Sequence, residues 1–148
     1  MREYDLIVLT DYYFWIRILV SIICGGIIGL ERTLRHKPVG LRTTILICLG
    51  STVFMLVNEL LADRNQQPID PTRIAAQVVT GVGFLGAGAI IHQGLSVVGL
   101  TTAATIWVVA GIGVVIGAGF PLVGITITAF TILTLIPLNF IEHKYLGH

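Results

Sequence analysis

The sequence predicts an all-α protein, a polytopic bundle of about five transmembrane helices, and its composition and charge pattern support this fold. Of its 148 residues, 55% are hydrophobic and only 11% are charged, whereas a soluble globular domain carries about 25% charged residues. The mean hydropathy is +0.91. Asp, Glu, Lys and Arg are absent between positions 17 and 31, 42 and 59, and 73 and 142. These stretches leave room for helices of the ~20 residues that cross a bilayer, and the last can hold about three.

The boundaries of the spans follow from aromatic residues, caps and prolines. Aromatic residues at positions 12 to 15 form an interfacial belt at the start of the first span. After this span, Pro38 and Gly40 end the helix. Pro71 suits the first turn of the third span, with Asp70 as its N-cap, and Pro137 kinks or ends the fifth. The spans are predicted at about 12–30, 43–61, 72–91, 99–118 and 121–140 of a single domain covering residues 1–148, with a short turn over 92–98.

The charges of the loops predict the orientation in the membrane. Four basic residues lie within the twelve residues of the first loop, 31–42, and Lys144 lies in the tail. The positive-inside rule therefore predicts an outside N-terminus and an inside C-terminus. Because Glu3 and Asp5 make the start of the chain acidic, we read the first span as a retained helix and not as a cleaved signal. A net charge of +1 gives no attraction to nucleic acid.

Glycine is concentrated in the predicted spans. In lipid, close backbone approach at small residues supplies helix contact, within one chain or between chains. Residues 81–86 also fit the pattern GxGxxG, but a nucleotide site requires a preceding strand and a following acidic residue, and neither is predicted here. Cys24 and Cys48 are read as buried apolar thiols. The predicted packing positions are Gly25, Gly29, Gly81, Gly86, Gly88, Gly113 and Gly117.

Polar residues in or beside the spans are functional candidates, because charge near the bilayer interior is costly. Several recur at spacings of three and four and so share one helical face; in the third span they are Asp70, Arg73, Gln77, Thr80 and Phe84. The structural alternative is that such stripes face the bundle interior, that Arg17 snorkels to the interface, and that Asp70 and Arg73 are only a cap and its partner. The candidate functional positions are Arg17, Glu31, Arg32, Arg42, Asp70, Arg73, Gln77, Thr101 and Thr102.

The residue pattern gives little support to an enzyme. No His, Cys and carboxylate group has metal-ligand spacing, and the four histidines lie in predicted loops or the tail. No cofactor is expected, and no metal is assigned. Mg²⁺ binds through carboxylates and retained waters, and no acidic residue lies in mid-span. This argues against a carboxylate-lined cation pathway, although carbonyls and hydroxyls could line a pore.

Two long ordered strings of residues are specific enough to indicate a family. The first is Gly25–Arg32, continued by Lys37–Thr43, and the second is Asp70–Gly88, continued by Gly99–Trp107. Together they resemble the MgtC/SapB family of bacterial inner-membrane proteins, over about Arg17–Gly119. The positions that match the family's motifs are Glu31, Arg32, Gly40, Arg42, Asp70, Arg73, Gln77, Gly81, Gly86, Thr101, Thr102 and Trp107.

The resemblance implies a hydrophobic domain of about this size. MgtC-type members add a soluble C-terminal domain that is lacking here, so the chain is more similar to the short SapB-type members or to the membrane domain alone. MgtC-type members are linked to growth in low magnesium, to virulence through survival in macrophages, to stress adaptation, and to restraint of the F-type ATP synthase.

Two functions follow as hypotheses. The first is a regulator of ion and energy homeostasis that docks through its glycine-rich helices onto a membrane complex such as the F-type ATP synthase. The alternative is a small oligomeric channel or transporter for Mg²⁺ or another solute, which the polar stripes favour. The expected partners are the lipid bilayer, a membrane protein and a second copy of the chain, with a dimer as the working hypothesis.

Overall fold

The computed structural model describes residues 11–66, 70–93 and 96–141, which form five helices and one short hairpin. The predicted helical bundle is confirmed. Helices α1, α2 and α4 are long and apolar enough to cross a membrane, and α5 adds a shorter apolar stretch over Pro121–Pro137. In chain order the elements are α1 (Tyr12–Leu34), α2 (Leu41–Asn65), α3 (Pro71–Gly88), β1 (Ile91–Gln93), β2 (Ser96–Val98), α4 (Leu100–Gly117) and α5 (Pro121–Ile141).

The first loop is shorter than the sequence predicts. Helix α1 continues past the predicted limit at residue 30 to Leu34, so Glu31 and Arg32 belong to its last turns and not to the loop. The physical reason is that no helix-breaking residue occurs before Pro38. Helix α2 likewise exceeds its predicted span at both ends, and Pro137 lies inside α5 without ending it.

The predicted turn over residues 92–98 is wrong, because the chain forms a small antiparallel hairpin there. Helix α3 ends at Gly88, before the predicted limit at residue 91, and Ile91 then pairs with Val98. Isoleucine and valine favour extended backbone. Gly99, at φ 96°, leads from the hairpin into α4, and a side chain there would collide with the carbonyl oxygen of Ala89.

Helix α4 lies at the centre of the bundle and contacts the other four helices. One buried apolar cluster joins it to α1 and α2 through Cys24, Ile28, Cys48, Val109, Ile112 and Ile116. A second cluster joins it to α3 through Val78, Val82, Ile106 and Ala110. Helices α3 and α5 are the lightly held elements. Only Val78, Val82 and Gly86 of α3 are buried, and only Gly124 and Thr128 among the described side chains of α5.

Helix α2 is held between glycine faces of α1 and α4. A Cβ atom placed on Gly25 of α1 would lie 2.9 Å from the carbonyl oxygen of Thr44, and Gly29 is also in close contact with α2. On α4, a Cβ at Gly117 would lie 2.6 Å from the Thr52 carbonyl oxygen. Since real Cβ atoms do not approach so closely, these positions require glycine for the backbones to meet.

The glycines of α3 behave differently. A Cβ at Gly86 would make an ordinary van der Waals contact with Ala103 of α4, at 3.8 Å between Cβ atoms. Gly81 and Gly88 have nothing within 4 Å of the same position in the described part of the chain. The described residues therefore form no helix contact at these two glycines, and contacts between chains stay a prediction.

Candidate functional site

Two buried charges from the end of α1 meet the start of α4. Glu31 and Arg32 are only 7% and 3% exposed. Arg32 Nη2 donates a hydrogen bond of 3.0 Å to Thr102 Oγ1, across 70 positions of sequence. Glu31 Oε2 lies 3.9 Å from Arg32 Nη1, and Glu31 Oε1 lies 2.7 Å from Nε of the half-exposed Arg35. We call Glu31, Arg32, Arg35 and Thr102 the loop-end cluster, because it lies where the α1–α2 loop joins the bundle.

The loop-end cluster is incompletely hydrogen-bonded. Among the described residues, neither carboxylate oxygen of Glu31 has a partner that meets hydrogen-bond geometry. The Nε of Arg32 has none either among these residues. The contact between Arg35 and Glu31 is therefore an ion contact rather than a directed hydrogen bond. Buried charges are costly unless well paired, so an arrangement of this kind in a membrane protein is a candidate for function.

The electrostatics at the start of α4 explain why Glu31 accompanies Arg32. Thr102 lies in the first turn of α4, and the N-cap residue Gly99 supplies no side-chain hydrogen bond. The N-terminus of a helix carries partial positive charge, which repels a guanidinium. The carboxylate of Glu31 supplies a compensating negative charge beside the guanidinium of Arg32.

A second ion pair lies at the opposite end of the bundle. Arg17 of α1 pairs with Glu59 of α2 through both guanidinium nitrogens. Its Nη1 also donates to the carbonyl oxygen of Gly117, at 3.3 Å, in the last turn of α4. A cation is favourable at a helix C-terminus. The structure therefore places Arg17 in an ion pair that caps α4, which is more than the predicted alternative of snorkelling requires.

An uncharged layer separates these two ends. Arg17 and Arg32 are about 22 Å apart along α1 at 1.5 Å per residue. Between them the described interior holds the apolar cluster of Cys24, Ile28, Cys48, Val109, Ile112 and Ile116, each 0–1% exposed. It also holds buried hydroxyl groups, and those of Ser21, Thr44 and Thr52 donate to backbone carbonyl oxygens. Among the described residues, no buried charged side chain lies between the two sets of charges.

The polar stripe of the third span faces outward, which is the opposite of the structural alternative that such stripes face the bundle interior. Arg73, Gln77, Thr80 and Phe84 are all exposed. The buried face of α3 is instead the apolar one that contacts α4. In α1, by contrast, Ser21, Cys24, Ile28 and Glu31 follow one another at the same spacings of three and four, and all four are buried.

The remaining candidate positions are not gathered into the loop-end cluster. Arg42 and Thr101 are exposed, at the starts of α2 and α4. Asp70 is the N-cap of α3, as predicted, and accepts hydrogen bonds from both the N–H and the hydroxyl of Thr72 at 2.9 and 2.7 Å. Among the candidates, the structure brings together Glu31, Arg32 and Thr102.

Other polar residues of the interior were not among the candidates. Arg35 stands four positions after Glu31, a spacing at which opposite charges on a helix pair, so the sequence could have indicated it. Thr52 donates to the carbonyl oxygen of Gly113 at 2.9 Å, and buried Asn58 has an unpaired Oδ1 among the described residues. No local signal predicts either. Within residues 11–66, 70–93 and 96–141 there is no group of three or more His, Cys, Asp or Glu side chains that could hold a metal ion.

The cap at Asp70 predicts a pH dependence at the start of α3. The hydrogen bonds from Thr72 lower the pKa of Asp70 from its ordinary value of 3.8. The cap therefore stabilises the helix start above pH 3.8 and is lost as the pH falls through the lowered pKa. We expect hydrogen-exchange protection of the Thr72 amide to drop severalfold in Asp70→Ala at pH 7, and in the unmodified protein only below about pH 3.8. Asp11→Ala, which removes the cap of α1, serves as the control, and equal Thr72 protection in both variants would contradict the assignment.

The comparisons with known proteins agree with this architecture. The sequence model of the MgtC family matches residues 18–144. The chain belongs to the MgtC family. It is 49% identical over 126 residues to YhiD of Escherichia coli (strain K12), named provisionally as a magnesium transporter, covering 82% of this chain and 59% of YhiD. Protein MgtC of Brucella abortus (strain 2308) is 46% identical over 99 residues, covering 67% of this chain and 40% of that protein.

A further MgtC protein has the same degree of similarity. Protein MgtC of Salmonella typhimurium (strain 14028s / SGSC 2262) is 46% identical over 104 residues, covering 70% of this chain and 43% of that protein. The chain thus spans about half the length of these curated members of the MgtC family. No solved structure matches it. Membership of the MgtC family and the apolar helices together identify a membrane protein.

Proposed function

We propose that this MgtC-family chain is a non-catalytic regulator in the bacterial inner membrane, with its N-terminus outside and its C-terminus inside. It would adjust ion and energy balance when magnesium is scarce by binding a membrane complex such as the F-type ATP synthase. The name of YhiD, a relative 49% identical to this chain, connects that protein with magnesium. The four basic residues at positions 32, 35, 37 and 42 support the orientation.

The observation that carries the proposal is the uncharged layer across the bundle. A conducting pathway needs polar groups or water along its length. Between Arg17 and Arg32 the interior holds an apolar cluster of α1, α2 and α4, and the buried hydroxyls of Ser21, Thr44 and Thr52 bond to the backbone. Charged groups at the two ends, with no buried charge described between them, favour a protein that binds a partner over one that conducts a cation.

Helix α3 is the element that we propose contacts the partner. Its Phe84 is 81% exposed, whereas Gly113 and Gly117 of α4 are already occupied by α2. A photo-crosslinking amino acid at Phe84 is expected to capture a membrane subunit of the F-type ATP synthase in magnesium-starved cells. Leu122 of α5, 77% exposed, is the matched control and is expected to capture only unspecific neighbours, such as abundant membrane proteins. Capture of only a second copy at Phe84, or the same captures at both positions, would contradict the proposal.

The end of the bundle that carries the α1–α2 loop gives a second test. Glu31→Gln and Arg42→Ala are each expected to abolish complementation of growth in low magnesium while the protein still inserts. In Glu31→Gln, buried Arg32 loses its neighbouring negative charge, and in Arg42→Ala the loop surface loses a cation. Membrane fractionation verifies insertion, and full growth of both variants would exclude this end of the bundle as a site.

Transport of Mg²⁺ is the second candidate, because YhiD carries a name of that kind. Proteoliposomes that hold the purified chain, an imposed Mg²⁺ gradient and an internal dye separate the two functions. The uncharged layer predicts no flux above empty liposomes. Flux that disappears in Thr102→Val would replace the regulatory proposal with transport.

A further inference from the structure

An apolar groove lies between α2 and α3, where the two helices touch only lightly. Its volume is about 760 Å³, and it is lined on α2 from Thr43 to Phe54 and on α3 from Ile74 to Leu85. Gly50 and Gly81 line it from opposite sides, and a Cβ on either would have nothing within 4 Å. The groove is therefore open space that the described chain leaves unfilled.

The groove has the length of one membrane leaflet. From Thr43 to Phe54, helix α2 rises about 16 Å, which is half of a hydrocarbon core of about 30 Å. Because α2 and α3 run in opposite directions, the groove begins at the loop end, beside Thr43 and Leu85. Gln77 lines the far part, where an occupant of this length would stop. A partner helix would cross the whole bilayer, so the length favours an acyl chain.

The mouth of the groove lies beside positive charge. Exposed Arg42 directly precedes Thr43 in the first turn of α2, and exposed Lys37 lies in the loop before this helix. Val39, between these two, packs against the cluster of Val78 and Val82 that also lines the groove. The basic loop is thus fixed next to the mouth, at the level where lipid phosphates lie.

We propose that this groove binds an anionic phospholipid of the leaflet on the loop side. One acyl chain lies between α2 and α3, and the phosphate lies between Lys37 and Arg42. The apolar lining accounts for the chain, the length for the single leaflet, and the two cations for the preference for anionic lipid. This lipid site is independent of the regulatory function proposed above.

Native mass spectrometry of the full chain tests the proposal. The protein is released from nanodiscs that contain equal amounts of phosphatidylglycerol and phosphatidylethanolamine with identical acyl chains. The unmodified protein is expected to retain one phosphatidylglycerol. Gly81→Leu, which fills the groove, is expected to lose it. Gly83→Leu is the matched control, since it adds the same side chain to the same helix two positions on, outside the lining and also in open space.

A second pair of variants separates the acyl site from the charge. In Lys37→Gln and Arg42→Gln, affinity for phosphatidylglycerol should fall about fivefold per cation removed, with that for phosphatidylethanolamine unchanged. Gly50→Leu fills the groove from α2 and replaces Gly81→Leu if that variant does not fold. Equal lipid retention by the filled and unfilled proteins would overturn the proposal. So would a lipid-free dimer that Gly81→Leu converts to a monomer, which would assign the groove to a second copy.

Discussion

Replacement of Gly113 by alanine is expected to lower the free energy of unfolding of the bundle by about 1–3 kcal/mol. A Cβ at this position would lie 2.7 Å from Cβ of Ser51 and even closer to the Cys48 carbonyl oxygen. Both atoms are held rigidly by the backbone of α2, so α2 and α4 must move apart. Separation also weakens the hydrogen bond from Thr52 to the Gly113 carbonyl oxygen. Denaturant titration in detergent micelles, followed by circular dichroism, measures the loss.

Gly111 offers a control two positions away on the same helix. A Cβ there has nothing within 4 Å, and alanine in a helix is favoured over glycine by about 0.5–1 kcal/mol. Gly111→Ala is therefore expected to leave the bundle as stable or more stable. Equal destabilisation by the two substitutions would mean that α4 does not meet α2 at Gly113.

Replacement of Arg32 by methionine is expected to cost about 3–5 kcal/mol, the range for removing one partner of a buried ion pair. The substitution keeps most of the volume but removes the buried one of the two cations beside Glu31, so that only the partly exposed Arg35 remains, and it leaves Thr102 without its donor. Thr102→Val is expected to cost about 1.5–3 kcal/mol, as for a hydrogen bond to a charged group. The double variant should cost less than the sum, because both changes remove the same hydrogen bond.

Arg42→Gln provides the comparison for Arg32→Met. Arg42 is an exposed cation of the same end of the bundle, and surface substitutions usually change stability by less than about 0.5 kcal/mol. A similar small change for Arg32→Met, or strict additivity with Thr102→Val, would show that the guanidinium is not held against α4.

The charge gaps in the sequence are enough to predict the helices, because a bilayer imposes long uncharged segments. They are not enough to predict helix ends. Helix α1 keeps Glu31 and Arg32 within its last turns, because the hydrogen bond from Arg32 to α4, which is distant in sequence, offsets the cost of burying these charges. The hairpin at Ile91 was missed because a run of apolar residues has no period that separates a strand from a buried helix.

The candidate site was predictable as a set of residues but not as contacts. Arg32 and Thr102 were both named, yet their hydrogen bond joins positions far apart in sequence. Helical spacing correctly groups residues on one face, but it does not tell which way the face points. The stripe through Gln77 has the same spacing as that through Ser21, and only the second is buried.

The spacing of the two arginines on α1 also determines the bilayer thickness in which this protein is most stable. Arg17 and Arg32 donate hydrogen bonds to opposite ends of α4 and lie about 22 Å apart along α1. A typical hydrocarbon core is about 30 Å thick. A mismatch of this kind is relieved by local thinning of the bilayer or by tilt of the helices. The protein should therefore be most stable in lipids with short acyl chains. In a thicker bilayer, the charged residues at both ends would lie within the hydrocarbon region. The protein would thus deform its surroundings, and its stability would follow the thickness of the membrane.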